Sequence, residues 1–387
     1  MQKNLAFGSG LRVGVLGGGQ LGRMMLQVAA NWDVRVEVMD PAEDAPCRFL
    51  THRFVQGDLM DADAVYAFGK RCDVVTIEIE HVSVEGLRRL RDAGVRVVPD
   101  PEHLALIQDK GRQKEFLVAN GFPTAPFTLV EAGGDRGQRG FPVVQKLRKG
   151  GYDGKGVAVL RSAEQAAQQG FPEPSLLEDL VPIEKELSVI VARNADGATA
   201  AFPVVEAVFD PHANLVDYLL APADVTEEVA EVARGLALQI AESMQFTGLL
   251  AVEMFLDSTG QILVNELAPR THNSGHHTIE AHGVSQFEQH LRAVLGMPLG
   301  DTTPRAFAAM LNLVGAADAH GSPLYVGLGE ALARPGVHAH IYGKSQVKPF
   351  RKMGHVTVTG TDPSSVRQQV LWLKSLLAVH GQPPSDP

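Results

Sequence analysis

From Leu11 to Pro99 the chain alternates short β-branched apolar runs with helical stretches, and that alternation admits few folds. Leu11-Arg-Val-Gly-Val-Leu16 reads as a buried strand, Gly17-Gly-Gly-Gln-Leu-Gly22 as a turn, and Arg23 to Ala30 as a helix. Val34 to Asp40, Phe54 to Asp58, Val74 to Glu78 and Val95 to Pro99 read as further strands, with helices at Ala62 to Gly69 and after a capping Ser83. Strand and helix in succession require a parallel sheet wrapped by helices, a Rossmann-like arrangement.

Past Pro101 the pattern is mixed. Residues 102–122 read as a helix, Pro123 and Pro126 as a connector, and Glu131 to Gly140 as a loop. Long β-like runs, a helix from Thr226 to Met244 and two strands at Gly248 to Phe255 and Gln261 to Leu267 follow. We therefore expect an α/β protein in three parts. These are a Rossmann-like domain (1–101), a small α+β module (102–195), and a larger α+β domain with a β-rich C-terminal subdomain (196–380). A disordered tail is expected at 381–387.

Bulk properties exclude several classes. The 387 residues suffice for two or three cores. A formal charge of −10 argues against a nucleic-acid binder, although a local basic pocket for small phosphates stays open. Cys47 and Cys72 make neither a disulfide framework nor a zinc pattern and fit a reducing compartment. Met1 to Gly10 lacks an apolar signal segment, and no apolar run approaches the roughly 20 residues of a membrane helix. A cytoplasmic protein without a membrane partner is expected.

Six stretches carry chemistry. In Lys146-Leu-Arg-Lys-Gly-Gly-Tyr-Asp-Gly-Lys-Gly156 an apolar strand delivers a lysine into a glycine-rich turn, a way to cradle a triphosphate, although a basic surface hairpin would look alike. Gly17, Gly19 and Gly22 match G-x-G-x-x-G, with Asp40 ending the next strand; a dinucleotide, any anion at a helix N-terminus, or a plain tight turn would satisfy them. Glu78 and Glu80 sit at the carboxyl edge of the fourth strand, and alternation puts them on one face. Glu253 and Glu266 lie mid-strand on either side of Asp257-Ser-Thr-Gly260. Two carboxylates in an apolar hairpin call for a cation, Mg²⁺ with phosphate oxygens or else an arginine. Arg270, His272, Asn273, Ser274, His276 and His277 follow at once; the carboxylates beside them favour magnesium over zinc. Between Ile341 and His355, Lys344, Lys348, Arg351, Lys352 and His355 concentrate positive charge, suited to a second phosphate.

These stretches resemble the ATP-grasp ligases of purine biosynthesis, and among them the 5-(carboxyamino)imidazole ribonucleotide synthetases. The resemblance runs from about Leu11 to about Leu377. It rests on Gly17-Gly-Gly-Gln-Leu-Gly-Arg-Met24, Thr76-Ile-Glu-Ile-Glu80, Gly150-Gly-Tyr-Asp-Gly-Lys-Gly156, Asn265-Glu-Leu-Ala-Pro-Arg270, His272-Asn-Ser-Gly-His276, Tyr342-Gly-Lys344 and Arg351-Lys-Met-Gly-His355. It implies a pre-ATP-grasp first domain, a lid and a large ATP-grasp domain. It also implies a reaction: ATP phosphorylates bicarbonate to carboxyphosphate, which carboxylates the exocyclic amine of 5-aminoimidazole ribonucleotide through released CO₂.

Roles carry over by matched position. The resemblance implies that Lys110 and Lys146 contact the ATP phosphates. Gly151, Tyr152, Asp153, Gly154, Lys155, Gly156 and Val157 would close over them. Glu178, Asp179, Leu180 and Val181 would form the adenine hinge, with Glu186 on the ribose. Glu253 and Glu266 would ligate Mg²⁺ or Mn²⁺ beside Asn265. Gly19, Gln20, Leu21 and Glu78 would bind the substrate nucleotide, and Lys344 and Arg351 its phosphate. Tyr152, Asp153, Arg270, His272 and Asn273 would line the transfer site. A homodimer is implied. Phe209 stands where the family often has a histidine, with His212 a replacement, and Phe350 replaces a small residue before Arg351. The nearest rival is the formate-dependent glycinamide ribonucleotide transformylase. A Rossmann dehydrogenase would leave Lys146, Glu253 and Glu266 unused, and the complete set of phosphate lysines and metal carboxylates argues against a non-catalytic nucleotide sensor.

Overall fold

The computed structural model describes residues 10–151, 156–210 and 215–382. Its first part is a parallel sheet built from β1 (Arg12–Leu16), β2 (Arg35–Asp40), β3 (Arg53–Gln56), β4 (Val74–Ile77) and β5 (Arg96–Val98), in the order β3-β2-β1-β4-β5. Helices α1 (Gln20–Asn31), α2 (Ala62–Gly69) and α3 (Val84–Asp92) cover it. Val13, Val15, Val36 and Val38 are wholly buried, as expected of strands covered on both faces. Ser83 caps α3 by accepting from Gly86 N, as its position predicts. The strand order reverses between β1 and β4, and open α/β sheets bind ligands in the crevice at such a point.

Residues 102–122 are not one helix. They form α4 (Pro101–Ile107) and α5 (Lys110–Ala119), because the Asp109 carboxylate accepts from Gly111 N and Arg112 N and starts a new helix. A small antiparallel sheet follows, from β6 (Phe127–Val130), β7 (Val143–Leu147), β8 (Val157–Leu160), helix α6 (Ala163–Gln169) and β9 (Ser175–Asp179), ordered β6-β9-β7-β8.

The large part begins with β10 (Ile183–Arg193), β11 (Thr199–Ala201), β12 (Val205–Asp210), β13 (Leu215–Ala221), helix α7 (Glu227–Ser243), β14 (Gly248–Asp257) and β15 (Ile262–Ala268). Short helix α8 (Thr278–Ala281) and α9 (Gln286–Leu295) lead to β16 (Phe307–Val314), β17 (Ser322–Val326), α10 (Leu328–Leu332), β18 (Val337–Ile341), β19 (Lys352–Gly360), α11 (Pro363–Leu376) and β20 (Ala378–Gln382). One sheet runs β15-β14-β10-β12-β13-β16-β19-β18, with β11 on β10.

Two expected boundaries move. Because β10 pairs along its length with β14, the small module ends between Asp179 and Ile183 rather than at 195. Gly381 and Gln382 are strand, paired with Pro323 and Ser322, so they leave the tail; residues 383–387 lie outside the described residues. Alanines 233, 237 and 241 let α7 lie close on Val189, Val191, Leu250 and Val252. Helix α9 shares a core with α1, where Phe287, Leu291 and Val294 meet Met24, Met25 and Leu26, so the first part docks firmly on the large one. Among the described residues no helix is long and apolar enough to cross a membrane.

Candidate active site

Strands β14 and β15 bring Glu253 and Glu266 opposite each other, and the register slips by one residue beside them. The slip leaves Asn265 without an opposite number and lets it aim sideways. Its Oδ1 accepts from Lys146 Nζ at 2.7 Å. Lys110 pairs with Glu266, and His272 Nε2 lies 2.9 Å from Glu253 Oε1. Burial by itself would raise the Glu253 carboxyl, but the bond to His272 and the charges of Lys110 and Arg270 hold it below the usual range. Lys146 stands on β7, and its ammonium is also 2.6 Å from Glu178 Oε2.

Glu178 is the penultimate residue of β9, at the start of the expected hinge. Burial would raise its carboxyl, yet Lys146 and Lys114 keep it lowered. Asp179 is held by Arg139 at 2.9 and 2.6 Å, and on the connector to β10 Leu180 is exposed and Val181 half-buried. Glu186 faces Glu253 and Lys146 from β10; burial, with help from the Glu253 charge, pushes its carboxyl up to about 7. Gly151 and Gly156 flank the expected closing loop, and Val157 begins β8 directly opposite Lys146. Tyr152, Asp153, Gly154 and Lys155 lie outside the described residues.

Arg270 joins this cluster to the first domain. Its Nη2 is 2.9 Å from Glu80 Oε1, and although burial disfavours its charge, Glu80, Glu78 and Glu253 around it keep it cationic. Asn273 opens the 3₁₀ turn Asn273–Gly275 behind His272.

At the crevice, Glu78 does something the spacing did not reveal. Strand β4 stops at Ile77, so the alternation that placed Glu78 and Glu80 on one face ends there. Glu78 instead folds under the glycine turn, accepting from Gly19 N at 2.8 Å and Gly22 N at 2.9 Å, while Asp40 accepts from Gly18 N at 2.7 Å. The anion at this helix N-terminus is the protein's own carboxylate. Gly17 has φ +101°, and a Cβ there would fall 2.5 Å from Glu78 Cγ. Helix α1 consequently starts at Gln20, earlier than the expected Arg23, and carries Leu21 inward. Burial raises the Glu78 carboxyl despite these two bonds and Arg270.

The basic segment between β18 and β19 reaches the same rim. Lys344 Nζ donates to Lys352 O at 2.7 Å, and Arg351 Nη1 to Gln346 O at 2.6 Å. Ser345 bonds Asp44 of the first domain, whose carboxyl is lowered by that bond and by Arg351 and Lys348. Phe350 is exposed with φ +59°, and Phe209 follows a register slip in β12; His212 lies outside the described residues.

The sequence reading missed Lys114, Arg139 and Arg148. Lys114 was legible as a lysine one helical turn after Lys110. The bidentate pair of Arg148 with Asp109 depends on a contact between residues 39 apart, which no local pattern encodes.

Three family models match the chain: the ribonucleotide synthetase pre-ATP-grasp domain at residues 11–108, the ATP-grasp domain at 115–287, and the phosphoribosylaminoimidazole carboxylase C-terminal domain at 308–369. An N5-carboxyaminoimidazole ribonucleotide synthase of Synechococcus elongatus is 38% identical over 92% of this chain and 91% of its own. The crystal structure of N5-carboxyaminoimidazole ribonucleotide synthetase from Thermotoga maritima superposes with a TM-score of 0.89 at 40% identity, covering 96% of this chain and all of that one (100%). An N5-carboxyaminoimidazole synthase of Aspergillus clavatus, crystallised with ADP and 5-aminoimidazole ribonucleotide, superposes with a TM-score of 0.85 at 31% identity, over 95% of this chain and 99% of that one.

Proposed function

The chain belongs to the N5-carboxyaminoimidazole ribonucleotide synthase family of ATP-grasp ligases, and from that membership and its site we infer the reaction. ATP transfers its γ-phosphoryl group to bicarbonate, giving ADP and carboxyphosphate. The exocyclic amine of 5-aminoimidazole ribonucleotide takes up the carboxyl group and loses a proton, and phosphate leaves. The observation that carries this reading is the continuity of the charged cluster. Lys110 with Glu266, Lys146 with Asn265, Glu253 with His272, and Arg270 with Glu80 are four contacts that lead from the ATP-grasp hairpin to the crevice of the first domain.

Phosphoryl transfer is largely positioning and charge neutralisation. Lys110 and Lys146 hold the phosphates, Glu178 to Val181 the adenine, and Glu186 the ribose. Two facing carboxylates with an amide oxygen beside them fit a hard divalent cation that shares phosphate oxygens. Glu253 and Glu266 would hold Mg²⁺ or Mn²⁺, which when bound neutralises charge on the transferring group. Arg270 and His272 orient bicarbonate, with Asn273 beside them. Gly19, Gln20, Leu21, Lys344 and Arg351 hold the nucleotide, Glu78 acting by shaping the glycine turn. Tyr152 and Asp153 would close over the site, excluding water from labile carboxyphosphate, with Asp153 taking the amine's proton. Family membership also supports a homodimer, and free Cys47 and Cys72 fit a reducing compartment such as the cytoplasm.

The test is ADP release with Mg-ATP and bicarbonate, with and without 5-aminoimidazole ribonucleotide, alongside formate with glycinamide ribonucleotide. Stimulation by the imidazole nucleotide, with its amine carboxylated, is expected. Activity only with formate would move the protein to the sibling reaction.

A further inference from the structure

Lys114 touches three separate elements with one ammonium. The side chain is 3% exposed and stands 2.7 Å from Glu178 Oε1 at the end of β9. It donates to Thr124 Oγ1 at 2.5 Å and to Val264 O at 3.2 Å. Val264 directly precedes Asn265 and Glu266. Glu178 Oε2 lies 2.6 Å from Lys146, which in turn reaches Asn265 at 2.7 Å. The result is a buried series Lys114–Glu178–Lys146 joining α5, the lid sheet and the hairpin of the facing carboxylates.

A carboxylate buried this deeply demands a counter-charge. With Lys114 on one oxygen, Lys146 need supply only part of it. Without Lys114, the whole demand falls on Lys146 and competes with any phosphate for that ammonium. We propose that Lys114 is a positioning residue for ATP, neutralising Glu178 from behind so that Lys146 stays available to the nucleotide phosphates. The inference rests on the reading of Lys146 as a phosphate contact.

The intact protein is assayed as Lys114→Met, Glu178→Gln, the double variant and Lys146→Ala. Lys114→Met should raise the KM for ATP roughly tenfold, with a far smaller change in the KM for the imidazole nucleotide. Adding Glu178→Gln should cancel most of that loss, because the charge that captures Lys146 is gone; a lysine that merely supports packing would give losses that multiply. If Lys114→Met does not fold, the double variant decides alone, since no buried charge is left uncompensated. A KM for ATP no worse than that of Glu178→Gln supports the inference, and a further tenfold loss overturns it. An unchanged KM in Lys114→Met overturns it as well. If Lys146→Ala leaves the KM for ATP unchanged, the phosphate assignment fails and takes the inference with it. If Lys146→Ala raises that KM while Lys114→Met matches wild type, this inference alone fails.

Discussion

Single residues in this site are legible by what balances their charge. Glu266 is matched by Lys110, and Glu253 lies 2.9 Å from His272 Nε2, two contacts that a divalent metal would relieve. Glu266→Ala should lower ATP turnover about a hundredfold or more, with saturating magnesium giving no rescue; near-normal ADP release would refute the metal assignment. Lys344→Ala and Arg351→Ala should each raise the KM for the imidazole nucleotide about tenfold and barely change that for ATP. Steady-state kinetics with each substrate varied in turn decides this, and a loss confined to ATP would mean the two sites are interchanged. The thiols make a contrasting case. Burial pushes Cys47 up strongly and Cys72 up to about 12, so both should resist alkylation in the native protein and react once it is unfolded. Rapid native labelling, followed by mass spectrometry, would contradict their burial.

At the scale of elements, the hairpin β14–β15 and the turn after β1 do the shaping. The register slip beside Glu253 leaves Asn265 opposite no residue of β14, next to the facing glutamates, and its Oδ1 accepts from Lys146. In the turn, Gly17→Ala would strain a φ of +101° and push Glu78 from beneath Gly19 and Gly22. It should cost about 1 kcal/mol or more of stability, read as a fall in Tm, and should weaken binding of the imidazole nucleotide beyond that of ATP. Much of this level was legible in the sequence: Ser83 as a cap, the Asp257–Gly260 turn, and the facing glutamates all follow from local rules. The break at Asp109 was legible only in hindsight, because an aspartate inside a helical pattern is common. Glu78 was legible as a candidate substrate contact, but its bonds to the turn were not, since its partners there are amides 59 and 56 residues away.

For the molecule as a whole, the docking of the first domain on the large one involves a neutral buried imidazole as well as apolar packing. His290 on α9 bonds Thr76 on β4 at 3.0 Å, and burial lowers its imidazole to about 4; burial likewise lowers His277 to about 3. Both bind a proton more readily when unfolded, near 6.5, so their contribution is intact above that pH and is lost as pH falls toward the folded values. Each group should cost about 1.4 kcal/mol per pH unit across its window. Thermal unfolding between pH 7 and about 4.5 should show a steep fall in Tm that is shallower in His290→Asn; identical slopes would mean that other groups govern acid stability.

What the sequence by itself determined was the class of fold and the chemistry of the parts. Period, caps and glycine turns act over a few residues, and motif spacing carries the lysines and carboxylates of a phosphate site with it. Only the tertiary structure decided who neutralises whom. Lys114 with Glu178, Arg270 with Glu80, Arg148 with Asp109 and His290 with Thr76 join residues far apart in the chain. A buried charge must find its counter-charge wherever packing brings one within a few ångström, and packing is settled by the whole core rather than by any local run of residues.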